Sequence, residues 1–303
     1  MQTPARVAPA GPLIVGVDES ERSRDAIALG RQLALGLPGE LMPVYIHTLE
    51  ELGSLVTGHR SREVEELVAI DAAAEHAKVR ALAEEMGISD VQLRQAPSAP
   101  AGLHHQAVES NAALVVIGSS SRSGLGRLLP GGTGERLLSG SPVPVAVAPA
   151  GYADSQTGCA LVGVGFDDSP ESQQAVRWAA DLAQGSGAAL QLIAVHAPLA
   201  IGGGVVVGAL GTESVNEVLG KELQSQSEKL AKALPSGLSV DSELFRGDPS
   251  TVLVERSQGL DLLVLGSRRY GPLKSVLLGS VSSYVIRNAQ CPVLVVPRDS
   301  TAN

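Results

Sequence analysis

Aromatic residues are nearly missing from this chain: Phe, Trp and Tyr together make up 2% of its 303 residues. Its core has to be built from Val, Leu, Ile and Ala, and the ring platforms on which single-stranded nucleic acids stack are all but excluded. Cations are outnumbered, with 23 Lys and Arg against 32 Asp and Glu, a net charge of −9. A sequence-independent grip on a phosphate backbone needs clustered positive charge, so no nucleic-acid partner is expected. Cysteine is confined to Cys159 and Cys291, without CxxC spacing, and both are expected to be small buried side chains, not a disulfide. No apolar run reaches the roughly 20 residues that span a bilayer, and no basic-then-apolar leader is visible. The expectation is a cytoplasmic protein with no membrane contact. HExxH, Walker A, GxSxG and a GxGxxG after the first strands are also missing. Adjacent His104 and His105 would point about 100° apart on a helix and chelate one ion poorly.

What is present is repetition, the first thing to test in a chain of this length. LIVGVDESERSRDAIALGRQLA from Leu13 returns as LVGVGFDDSPESQQAVRWAADLA from Leu161. Gly16, Asp18, Ser20, Ser23 and Ala26 fall on Gly165, Asp167, Ser169, Ser172 and Ala175. VYIH and IAVH close on His47 and His196. After a slip of one residue, ALVVIGSS matches LLVLGSR, Gly131 matches Gly279, and VPVAVAP matches CPVLVVP. Each half reads as five short apolar strands separated by amphipathic helices. In the first half the strands are expected at 13–17, 41–47, 91–95, 113–117 and 143–148. Near-continuous apolar runs alternating with helices imply a parallel sheet covered on both faces. The expected fold class is therefore α/β: two tandem Rossmann-like, open, twisted, five-stranded parallel sheets, strand order 3-2-1-4-5, with helices on both faces. The AGYADSQTG stretch reads as a linker, which divides the chain into 1–152 and 153–303. Asp18-Glu19-Ser20 and Asp167-Asp168-Ser169 supply helix N-cap candidates. Segments 48–60 and 197–212 interrupt the rhythm, as lids, contacts between halves or ordinary surface loops.

An open parallel sheet binds ligands beyond the carboxyl ends of its strands, where strand order reverses. In this order that crevice lies between strands one and four. Strand one ends at Asp18 or Asp167 and strand four at Gly118 or Gly266, so the repeated features converge on one crevice per half. GSRRYGPLKSVLLGS, from Gly266 to Ser280, ends on a Gly-Ser that opens a helix and carries Arg268, Arg269 and Lys274. A helix N-terminus with a glycine approach can cradle phosphate. The same glycines could serve only tight turns. Asp18 and Asp167 fit Mg²⁺ ligands, ribose acceptors or caps equally. His47 and His196 read as wall residues near the crevice.

These motifs, VDES with its spaced Ser23, FDDSPES, LLVLGS, LLGSVSS and QCPVLVVP, resemble the universal stress protein family over nearly the whole chain, twice. ATP-binding members of that family carry G-x2-G-x9-G-[ST] after strand four. The resemblance implies a second-half site of Asp167, Ala197, Leu265, Gly266, Gly279, Ser280 and Val281, with Arg269 in place of the second motif glycine and Gly271 nearby. In the first half it implies Asp18, Thr48, Ile117, Gly118, Gly131 and Thr133, with Ser121 in place of the second glycine and Gly132 where the family has Ser or Thr. The last strand of each half would reach across to the other, giving an internal pseudo-dimer, with a homodimer of whole chains also allowed. The expected function is stress-response regulation by binding ATP or ADP, with or without Mg²⁺, and little or no turnover, read out by a regulatory protein partner. The alternatives are a nucleotide-free interaction module and a slow ATPase.

Overall fold

The computed structural model describes residues 8, 10–48, 62–88, 90–119, 132–155, 158–198, 212–267 and 279–297. In the first half the elements run β1 (Leu13–Val17), α1 (Arg22–Ala34), β2 (Leu41–Thr48), α2 (Arg62–Glu85), β3 (Gln92–Ala96), α3 (Ala99–Glu109), β4 (Leu114–Gly118), α4 (Gly132–Leu138) and β5 (Val145–Ala148). A short α5 (Tyr152–Ser155) leads to β6 (Leu161–Phe166), α6 (Pro170–Ser186), β7 (Ala189–His196) and α7 (Thr212–Ala233). The chain then forms β8 (Val240–Arg246), α8 (Pro249–Arg256), β9 (Leu262–Ser267), α9 (Ser280–Asn288) and β10 (Val293–Pro297). Local signals explain the boundaries. Ser169 caps α6 by accepting the Ser172 N–H at 3.2 Å, Pro170 occupies the first turn, and Gly187 at φ 76° ends the helix in a left-handed turn.

Each half keeps the order 3-2-1-4-5, with parallel pairing, but the two sheets are not separate. They form one ten-stranded sheet, β3-β2-β1-β4-β5-β10-β9-β6-β7-β8. The two fifth strands pair antiparallel, Val145 opposite Val295 and Val147 opposite Val293. Each would otherwise be an apolar edge, the kind of edge that pairs with whatever it meets. The pseudo-dimer is therefore closed by backbone hydrogen bonds as well as by packing. On one face a single apolar cluster joins Leu33, Val116 and Ala146 to Trp178, Leu182 and Leu294. On the other, Leu137 and Val147 share a cluster with Val285 and Val293. Arg287 of α9 reaches Glu135 of α4 across the seam, at 2.5 Å.

The stretch read as a plain linker is anchored. It forms α5, whose Tyr152 is buried, and Asp25 of α1 accepts the N–H groups of Gly151 at 3.0 Å and Ala153 at 2.9 Å. A buried acid answering two backbone donors ties the connection to the first half's helix layer. Desolvation raises the Asp25 pKa above its ordinary 3.8, outweighing the lowering by those two backbone bonds. A carboxyl whose folded-state pKa is raised adds stability below its unfolded pKa and loses it as pH climbs through the folded one. Measured against Asp25→Asn, the thermal midpoint of the native chain should therefore fall as pH rises above the ordinary aspartate pKa of about 4; a pH-independent difference would contradict this.

The cysteines are close to expectation. Cys291 is buried and Cys159 partly so, and burial pushes their thiols up to about 12 and about 11. Among the described residues no helix is long and apolar enough to cross a membrane.

Candidate functional site

Two crevices open at the carboxyl ends of the strands, one per half, of about 210 Å³ in the first and about 230 Å³ in the second. They are built alike. Gly16 and Gly165 of the first strands, Ile117 and Leu265 of the fourth, and Leu103 of α3 and Leu253 of α8 form matching apolar walls. Asp18 and Gly118 stand at the mouth of one, Asp167 and Gly266 at the mouth of the other. The strand-order argument thus brings together the residues it singled out.

The two aspartates are not helix caps. Asp18 Oδ1 accepts the Ser20 N–H at 2.9 Å and the Ser23 hydroxyl at 3.1 Å, and Asp167 Oδ1 accepts the Ser169 N–H at 3.1 Å. They fold the turn between the first strand and its helix. The cap itself is Ser169 in the second half and Glu21, without a side-chain bond, in the first. Just beyond Asp167, Asp168 adopts φ 62°, a conformation uncommon for a residue with a Cβ.

The motif glycines have different reasons to exist. A Cβ on Gly118 would stand 2.2 Å from the carbonyl oxygen of Arg22, and one on Gly266 2.5 Å from that of Glu171. These glycines let the first turn of α1 or α6 lie against strand four, a packing need that neither the phosphate nor the tight-turn reading had named. Gly279 is the opposite case. Its backbone, φ −62° and ψ 160°, suits any residue, and apart from its chain neighbours no atom of the described residues lies within 4 Å of where its Cβ would be. It caps α9 without a side-chain hydrogen bond, and Gly279, Ser280 and Val281 all line the second crevice. The first-turn N–H groups of a helix have no intrahelical partners, so here an uncapped helix start opens directly onto the crevice.

Other expected site residues fall differently. Thr48 ends β2 and Ala197 follows β7, and neither lines its crevice. Gly132 and Thr133 start α4, and Gly134 of the same turn lines the crevice. Ser121, Gly131, Arg269 and Gly271 lie outside the described residues, as do Arg268, Lys274 and most of segments 48–60 and 197–212. His47 and His196 are buried but line neither crevice; His47 Nδ1 meets Glu75 at 3.0 Å, while His196 Nε2 has no hydrogen-bond partner among the described residues. His104 bonds the Leu137 carbonyl at 3.0 Å, and His105 is exposed beside Glu109. Sequence reasoning passed over Arg22 and Glu171, which also line the crevices. The signal was available, since the repeat aligns them with opposite charge.

The Universal stress protein family model matches residues 10–149 and again 161–297. The chain belongs to the universal stress protein family. A universal stress protein of Mycolicibacterium smegmatis is 31% identical over 186 residues, 61% of this chain and 62% of that relative. One from Mycobacterium tuberculosis H37Rv is 35% identical over 194 residues, 62% and 63% of the two chains. The matches thus span under two thirds of these relatives' lengths. Another from the same strain is 29% identical over 239 residues, 77% of this chain and 80% of it. Among solved structures, a universal stress protein from Archaeoglobus fulgidus superposes with a TM-score of 0.63 at 19% identity, covering 95% of this chain and 98% of that one. That likeness concerns the fold.

Proposed function

We propose that this universal stress protein binds an adenine nucleotide in its second crevice and acts by occupancy, with little or no turnover. Gly279 carries the reading. A glycine with no conformational or packing need among the described residues, placed at an uncapped helix start inside a crevice, leaves space that a phosphate group fits. Gly279, Ser280 and Val281 would offer backbone N–H groups and a hydroxyl to the phosphates. Leu265, Ile193 and Val195 would offer the base an apolar wall. Asp167 stands at the mouth for a ribose hydroxyl or a Mg²⁺-bound water. ATP with Mg²⁺ is the proposed ligand, and ADP would use the same groups. Among the described residues no nucleophile and base meet at the crevice, which supports a reading of binding. A change in crevice occupancy would be passed to a regulatory protein partner in the cytoplasm.

Titrating the whole chain with ATP and Mg²⁺ by calorimetry should give close to one nucleotide per chain. The halves share their core and a strand pair, so the intact chain is the proper sample. Absence of heat and of any thermal shift at millimolar ATP would leave the nucleotide-free interaction module as the surviving account. Fast phosphate release would favour an ATPase.

A further inference from the structure

Arg22 and Glu171 occupy one place in the repeated fold. Their carbonyl oxygens make the same close approach to the glycine ending strand four, and both residues line their crevices. Only the sign of the charge differs. In the first crevice Arg22 Nη2 donates to Asp18 Oδ2 at 2.9 Å, and its Nε donates to the Ser20 hydroxyl at 2.8 Å. A guanidinium has five N–H donors, so three of them are left without a protein acceptor among the described residues, on a side chain that is half-exposed. Asp18 is in the reverse position. Its Oδ1 takes the Ser20 N–H, the Ser20 hydroxyl and the Ser23 hydroxyl, and its Oδ2 takes Arg22. The first crevice therefore presents a fixed cation with donors to spare, beside a carboxylate already bound by protein.

In dinucleotide sites a carboxylate reads the ribose hydroxyl, while an arginine in its neighbourhood accommodates a ribose phosphate. A guanidinium also matches phosphate geometry better than any other cation. We infer that the first crevice takes an adenine nucleotide phosphorylated on its ribose, at the 2′ or 3′ position, with Arg22 as the specificity residue. The second crevice lacks this recognition, because Glu171 stands where the first crevice has Arg22. The inference rests on the nucleotide reading of the crevices given above.

The test uses the whole chain and three probes, AMP, adenosine 2′,5′-bisphosphate and adenosine 3′,5′-bisphosphate, titrated by calorimetry into the native protein, Arg22→Glu and Glu171→Arg. One bisphosphate should bind the native protein at a single site at least about tenfold more tightly than AMP, as expected for a charge-assisted contact, and the tighter of the two identifies the ribose position. Arg22→Glu should erase that advantage while AMP binding in the second crevice persists. Glu171→Arg should create a second bisphosphate site. Thermal midpoints close to the native value would show that both variants fold; if Arg22→Glu does not, Arg22→Gln carries the same expectation. A bisphosphate preference that survives loss of the Arg22 charge overturns the proposal, as does AMP binding without any preference. Failure of both bisphosphates to bind overturns the proposal, whereas the nucleotide reading itself falls only if the ATP titration described above also gives no binding.

Discussion

Gly279→Val is expected to lower affinity for ATP by about 100-fold or more, with almost no change in thermal stability. The separation of the two effects follows from geometry. The backbone at Gly279 suits a β-branched residue, and apart from its chain neighbours no described atom stands within 4 Å of the new Cβ, so none of the described residues has to move aside. The cap position loses at most about 1 kcal/mol, since Gly is itself only a moderate cap. The isopropyl group would, however, occupy the approach to the first turn of α9. Phosphate contacts there are charge-assisted hydrogen bonds worth about 1.5–3 kcal/mol each, and losing two reaches the stated factor. Unchanged affinity in a variant with a native melting curve would place the nucleotide elsewhere.

Gly185→Ala is expected to act the other way, through stability alone. The ends of α1 and α6 cross at Gly36 and Gly185. A Cβ on Gly185 would lie 2.0 Å from the Gly36 carbonyl oxygen, and one on Gly36 2.5 Å from that of Leu182. Both obstacles are backbone, which cannot rotate aside, so the helices would have to separate and open the core they share around Leu33, Trp178 and Leu182. Overpacking in a tight site costs about 1–3 kcal/mol and sometimes more. A drop in the thermal midpoint of about 2–5 °C is the expected scale. Trp178 is the chain's one tryptophan and is buried in this seam, so its fluorescence reports the opening. A melting curve indistinguishable from the native one would show that the crossing contributes nothing.

How much of this was readable beforehand varies from element to element. Strands β1, β2 and β4 lie within a residue of their apolar runs, because a strand buried on both faces leaves an unbroken apolar segment in the sequence. The crevices followed from strand order, since Asp18 and Gly118, or Asp167 and Gly266, end neighbouring strands. The roles of those residues did not follow. Spacing treats Gly266 and Gly279 as two members of one motif, yet the first makes room for the Glu171 backbone and the second for nothing in the described protein. Thr48 and Ala197 were placed in the site by resemblance, and their strands end just outside it. Arg22 and Glu171 went unnoticed because a charge in the first turn of a helix reads as solvated surface until the helix is known to face a crevice.

The sequence by itself determined that there are two like halves, which segments are strands, and that each half has one crevice with an aspartate and a glycine at its mouth. These are local properties, written in apolar runs and repeated residues. Only the tertiary structure decided that the halves share one sheet, that the connecting stretch is pinned by Asp25, and that Arg22 lines one crevice where Glu171 lines the other. Each of these depends on the approach of groups far apart in the chain, at distances set by packing, and no pattern within a single segment carries that information.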